Sequence, residues 1–292
     1  METPRRVRQA LSGFVCNAVV LRSEEVSRGA GAARASELAF VSVTALLFLA
    51  AVTLTIFVCG SSSAMGEMAM PGGWSLSMMW MRMPGQSWFC AAGSFTGAWS
   101  AMMVAMMLPS LTPMLRRYRG AVGIAREPHL GRLTAIVGAG YFFVWTMFGL
   151  VAFPLGSALA TAEMRWASLA RATPIAVGAV VALAGLLQSS KWKAHHLSSC
   201  RLSPSPEHIL PANANTAWRH GVHLGLHCGY CCAALTAVLF AIGIMDLRAM
   251  TLVGAAVTIE RLASNAERVA RAIGVVVIVG GLFMIARAAT LG

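Results

Sequence analysis

Charge is what this sequence has little of. Charged residues are 12% of its 292 residues, about half the share usual in a soluble globular domain. Acidic residues are the scarcer kind, 11 Asp and Glu against 23 Lys and Arg. No internal repeat and no dinucleotide-binding glycine pattern is present. Neither the phosphorylation motif of a P-type pump nor a nucleotide-binding loop is found, so nothing supplies an energy source for pumping. The opening METPRRVRQALSGFVC lacks a sufficient apolar core before charge returns at Arg22, so no cleavable signal peptide is expected. The net charge of +12 suggests a nucleic-acid partner, but the basic residues are distributed by loop rather than gathered in a patch, and that class is set aside.

Hydrophobic residues, in contrast, are 57% of the chain. They fall into seven apolar stretches at about 38–59, 88–114, 133–155, 172–190, 222–245, 247–262 and 272–290, most of them near the roughly 20 residues that cross a bilayer. The expected fold is all-α, a polytopic transmembrane helix bundle of six to seven spans whose first partner is the lipid bilayer. The stretch 247–262 is short and ends in Glu260-Arg261, so partial insertion is expected as an alternative to a full span, and the side on which the carboxyl terminus lies depends on it. Pro109 and Pro113 are expected to end or kink the second helix.

Basic residues orient the bundle. Arg5, Arg6, Arg8, Arg22, Arg28 and Arg34, then Arg116, Arg117, Arg119, Arg126 and Arg132, then Lys191, Lys193, Arg201 and Arg219, and finally Arg261, Arg268 and Arg271 fall on one side. That is eighteen, against five on the other: Arg82, Arg165, Arg171, Arg248 and Arg287. By the positive-inside rule the amino terminus is cytoplasmic. Residues 1–37 then form an Arg-rich cytoplasmic tail and 38–292 the bundle, with a Met-rich outer loop at 60–87 and a cytoplasmic Cys/His loop at 191–221.

The densest chemistry is His220–Cys232, HGVHLGLHCGYCC, with three histidines and three cysteines in thirteen residues. On a helix, His220, His223, His227 and Cys231 share an arc of about 80°, with Cys228 and Cys232 beside it. Gly221, Gly225 and Gly229 form a ridge at spacing four that lets a neighbouring helix approach. Cys200 and His196, four apart, share a second face, with His195 beside them. Thiolate and imidazole suit soft or borderline metals, Cu(I), Zn(II) or iron. Cysteine is also a small, commonly buried packing residue, and both readings stand at this point.

Methionine forms two further groups. Met102, Met103 and Met106 share a face with Trp99, with Gly93, Gly97, Ala101 and Ala105 roughly opposite. A thioether is neutral and ligates Cu(I), though a methionine stripe also serves as plain core filler. In the outer loop, Met65, Met68, Met70, Met78, Met79, Met81 and Met83 alternate with Trp74, Trp80 and Trp88; these read either as thioether pairs for a soft ion or as an interfacial segment. The two glycine-ridged helices, the second and the one bearing the cysteines, are expected to pack on each other. Glu260 and Asp246 are placed at membrane boundaries, and Gln188, Lys191 and Lys193 read as interfacial anchors.

The run W-x2-MM-x-AMM-x-P at Trp99–Pro109, the Gln188, Lys193, Cys200, Pro204 series, the G-x3-G-x2-C-x2-CC of Gly221–Cys232 and the later Glu260-Arg261 resemble a bacterial family of predicted metal-binding integral membrane proteins, some labelled copper chaperone. The resemblance covers about 88–262. It implies a helical protein of the bacterial inner membrane in which the Cys cluster and the AMM motif belong to one site. The chain departs from the family pattern in two places. His196 stands where the family favours a second cysteine, and Ala233 where it tends to an aromatic.

The reading that follows is a membrane-embedded soft-metal protein that binds and handles copper, by uptake or delivery of Cu(I), and that passes it to a copper-receiving protein or membrane complex. Its ligand set is Cys200, Cys228, Cys231, Cys232, His196, His223, His227, Met102, Met103 and Met106, with zinc or iron as the other possible metals. Catalysis is not expected. Three other readings remain open: a thiol oxidoreductase using Cys228 and Cys231 as a C-x-x-C pair, a haem protein with histidine ligands, and a scaffold subunit of a membrane complex.

Overall fold

The computed structural model describes residues 31, 33–61, 67–70, 74–82, 85–123, 129–201 and 213–291. Residues 1–30 of the expected tail, together with Met65 and Met83, lie outside them. Eight helices are formed among the described residues: α1 (Ala33–Ser61), α2 (Trp88–Gly123), α3 (Leu130–Arg165), α4 (Ala167–Gln188), α5 (Lys191–Arg201), α6 (Ala214–Ile242), α7 (Leu247–Leu262) and α8 (Ala266–Leu291). Between α1 and α2 a short antiparallel hairpin, β1 (Glu67–Met70) and β2 (Trp74–Ser77), pairs Met70 with Trp74 and Met68 with Leu76, and one 3-10 turn, Met78–Trp80, follows. The chain divides into two compact units at residues 46 and 47. In the first, the described part is the start of α1, where Leu38, Val43 and Leu46 are exposed. Apart from the length and apolar character of α1, all that follows concerns the second.

Six helices, α1, α2, α3, α4, α6 and α8, are long and apolar enough to cross a membrane, and the chain is a multi-pass membrane protein. Their outward faces carry large apolar side chains such as Phe148, Leu155, Leu183, Val276 and Phe283, which suits hydrocarbon as a solvent. Of the two other helices, α5 has 11 residues and α7 has 16, about 24 Å; α7 is the longer. It begins at Asp246, whose carboxylate accepts from the Arg248 and Ala249 amides at 2.7 and 3.2 Å, after a turn at Gly243 whose φ of +134° favours glycine.

Small residues set the packing. A Cβ on Gly140 of α3 would stand 2.7 Å from the Trp218 carbonyl of α6, and one on Gly225 of α6 would stand 2.9 Å from the Tyr141 carbonyl of α3. Helices α3 and α6 therefore run parallel with their backbones in contact. Gly178 and Gly185 of α4 meet Gly281 and Gly274 of α8 in turn, which makes that pair antiparallel. The expected packing of the two glycine-ridged helices is corrected: α3 packs broadly on both α2 and α6. Among the described residues, a Cβ added on Gly93, Gly97 or Gly229 would meet nothing of another element within 4 Å. Long side chains bridge α2 to α6, with Trp99 stacked on Phe240 at 5.2 Å between ring centres.

Nor do the prolines end α2, which runs through Pro109 and Pro113 to Gly123. The Ser110 and Thr112 hydroxyls donate to the Met107 and Leu108 carbonyls at 3.0 and 2.8 Å, so both hydroxyls beside the prolines are satisfied within the helix itself.

Candidate functional site

Cys228 and Cys232, four apart on α6, point to the same side, and their sulfurs lie 3.7 Å from each other. All three thiols of the cluster are about 1% exposed. They lie near the middle of α6, about 21–27 Å from its start by helical rise, deeper than the mouth of the helix. Cys232 is within hydrogen-bonding reach of both Cys228 and Cys231. Across the close α3–α6 contact, the Tyr141 hydroxyl donates to the Cys228 sulfur at 2.8 Å. The parallel glycine packing makes that reach possible.

Around the thiols is a layer of buried polar side chains, one from almost every helix of the bundle. Lys193 of α5, 1% exposed, donates to the Cys231 carbonyl at 2.6 Å and pairs with Glu260 of α7 at 2.8 Å. Gln188, the last residue of α4, donates to the other Glu260 oxygen. Arg261 of α7 is buried too, donates to Ser110 of α2 at 3.5 Å, and lies within electrostatic reach of all three thiols and Tyr141. These placements correct the sequence reading. Lys193, Gln188 and Glu260 are buried against one another inside the bundle rather than exposed as anchors: α5 folds back beside α6 and carries the lysine inward. Lys191, two residues earlier, is exposed.

Burial alone disfavours the Lys193 ammonium. Cys231, Glu260 and Cys232 act in the opposite direction and outweigh it, so its pKa stands above that of an ordinary lysine. Breaking such a pair by removing one partner leaves a buried charge unmatched, which costs about 3–5 kcal/mol.

The histidines lie elsewhere. His223 is exposed and His227 half-buried, and their Nε2 atoms meet at 3.1 Å. His220 stacks on Tyr118 of α2 at 5.4 Å. The expected stripe thus divides into an outer histidine edge and a buried thiol face. Met102, Met103 and Met106 are all buried in the bundle, with Met106 beside Gly254 of α7. Cys200 and His196 belong to α5, but their side chains lie outside the described residues. Among the described residues, no three His, Cys, Asp or Glu side chains are grouped so as to hold a metal ion.

A family model described as copper chaperone matches residues 96–284, the stretch that carries the whole polar layer. The chain belongs to the copper chaperone family. No curated protein and no solved structure matches it. Within this copper chaperone family member, the match takes in Met102–Met106, Tyr141, Gln188, Lys193, the thiol cluster and Glu260-Arg261, while α1 and the hairpin stand outside it. Tyr141 escaped the sequence reading. The available signal was a phenol, one of three in the chain, within a run apolar enough to span a membrane, where a buried hydroxyl needs a partner.

Proposed function

We propose that this protein binds Cu(I) within the membrane and passes it on, with Cys228 and Cys232 as the tight pair and Cys231 as the adjoining thiol. The observation that carries the reading is the 3.7 Å separation of the two sulfurs inside a layer of buried charge. Two ligands on one metal at bond lengths of 2.3 Å are about 3.8 Å apart when tetrahedral. Charge supports a monovalent ion. Lys193 and Glu260 cancel, and two thiolates with Arg261 leave one negative charge. Cu(I) brings the site to neutral, the favoured state in a medium that penalises net charge. Zn(II) would leave it positive, and thiolate softness also favours Cu(I).

In this reading Met102, Met103 and Met106 offer neutral thioethers along the bundle, and the methionines of the 60–87 segment meet the ion first on the outer side. Cys200 and His196 lie on the chain segment that enters α6 and would receive or complete the site from the cytoplasm. The Lys and Arg distribution supports a cytoplasmic amino terminus in a bacterial inner membrane, with a copper-receiving protein or membrane complex as partner.

The test is elemental analysis of protein purified reduced in mild detergent and loaded with Cu(I), with a thiol count. The proposal requires about one tightly held copper per chain with the thiols reduced, lost in both Cys228→Ser and Cys232→Ser. A metal-free protein with a disulfide in the cluster favours the thiol oxidoreductase instead, and a Soret band favours a haem protein. Either result overturns the copper reading.

A further inference from the structure

A second feature of the bundle is a cleft of about 960 Å³ between α3, α4 and α6, away from the thiol face. Its α3 wall runs from Val144 to Glu163, about 28 Å by helical rise, close to the roughly 30 Å of a bilayer's hydrocarbon core. The walls are apolar along that length: Phe148, Leu155 and Val177 are typical. Small residues, Ala176 of α4 and Ala233 of α6 among them, keep it open.

One end is polar. Glu163, near the end of α3, lines the cleft while only 6% exposed, and the Thr173 hydroxyl of α4 donates to its Oε1 at 2.9 Å. Trp74 of the hairpin, donating to the Ala170 carbonyl at 2.9 Å, lines the cleft at the same end. Arg165 and Arg171 are exposed nearby, at the end of α3 and the start of α4. A long apolar trough that ends in a buried carboxylate, with two exposed arginines at the same helix ends, matches a molecule with a long chain, a cationic donor and an anionic group beside it.

We propose that this cleft binds one membrane phospholipid with a primary amine headgroup, its acyl chain in the trough, its ammonium at Glu163 and its phosphate at the Arg165 and Arg171 rim. A trimethylated headgroup has the same charge but no N–H to give the carboxylate, so discrimination between the two reads the hydrogen bond itself.

The test is native mass spectrometry of the full chain in mild detergent, washed of lipid and then titrated with phosphatidylethanolamine, phosphatidylcholine or phosphatidylglycerol of the same acyl composition. The expected result is one retained phosphatidylethanolamine, favoured over the other two on the order of tenfold, the value of one charge-assisted hydrogen bond. Glu163→Gln keeps the cleft and is expected to lose that preference while still retaining lipid. Ala233→Phe and Ala176→Phe fill the trough and are expected to retain none, with unfolding temperatures in lipid-free detergent matching the parent as the check on folding. Equal retention of all three lipids, no retention by the parent chain, an unchanged preference in Glu163→Gln, or undiminished lipid in a folded trough-filling variant each overturns the proposal.

Discussion

The Tyr141 hydroxyl of α3 donates to the Cys228 sulfur of α6 at 2.8 Å, where the glycines let the two backbones touch. A phenol donor favours a thiolate over a thiol, since only the sulfur anion is a strong acceptor. Tyr141→Phe removes the donor and keeps the ring. A hydrogen bond to a charged group contributes about 1.5–3 kcal/mol, so Cu(I) affinity, measured by competition with a chelator, is expected to fall on the order of tenfold to a hundredfold. Unchanged affinity would detach Tyr141 from the metal site.

The Lys193–Glu260 pair predicts a rescue. Lys193→Met strands the Glu260 carboxylate in the bundle, at a cost of about 3–5 kcal/mol, seen as an earlier thermal transition in detergent. The double change Lys193→Met with Glu260→Gln removes both charges and is expected to recover most of the loss. The pH dependence has a definite sign. The folded-state pKa of Lys193 is raised, so its contribution is complete below the unfolded lysine value of about 10.4. It is lost only as pH rises beyond that through the folded value. The Lys193 contribution is therefore flat through neutral pH and declines in strong alkali. A loss of the Lys193-dependent stability between pH 7 and 9 contradicts it.

Two glycine ridges with the same spacing separate sharply by variant. Gly225→Leu drives a side chain into the Tyr141 carbonyl, and its expected outcome is failure of assembly, read as aggregation in size-exclusion chromatography. Gly97 has open space where its Cβ would stand, so Gly97→Leu is expected to change stability by no more than about 0.5 kcal/mol. Equal behaviour of the two variants would refute the α3–α6 packing described here.

That contrast also shows where the sequence stops being readable. The spans were legible because hydrocarbon demands long apolar runs, and the thiol cluster because three cysteines in five positions are hard to place by packing alone. The partner of each ridge was not legible. In lipid, small residues facing another helix and small residues facing acyl chains look alike, so Gly93 and Gly97 read the same as Gly221 and Gly225. Lys193 misled for a related reason. A lysine just past an apolar run is usually a snorkelling anchor, and only a carboxylate far along the chain, Glu260, makes its burial affordable. The histidines follow a helical wheel that correctly groups them, but the arc crosses the line between buried and exposed faces, which depends on neighbours that the wheel does not contain.

The remaining prediction separates ligand from packing among the methionines. Met102, Met103 and Met106 are all buried, as a filler or a thioether pathway both require. Met102→Leu with Met106→Leu keeps nearly the same volume, and volume-conserving swaps cost under about 1.5 kcal/mol, so the variant is expected to fold. If the thioethers carry Cu(I) across the bundle, the variant retains tight binding at Cys228 and Cys232 but loses copper transfer when reconstituted in vesicles. Cys232→Ser is expected to do the reverse of the first half, losing tight binding outright. Thiols must lose protons to bind metal, so tight binding in the parent weakens as pH falls below neutral, with proton release on loading. Thioethers have no proton to lose, so the methionine-dependent step is expected to be insensitive to pH over the same range. Undiminished transfer in the double leucine variant would return Met102 and Met106 to packing and leave the buried thiols, with Tyr141, Lys193 and Arg261 around them, as the whole of the metal-handling site.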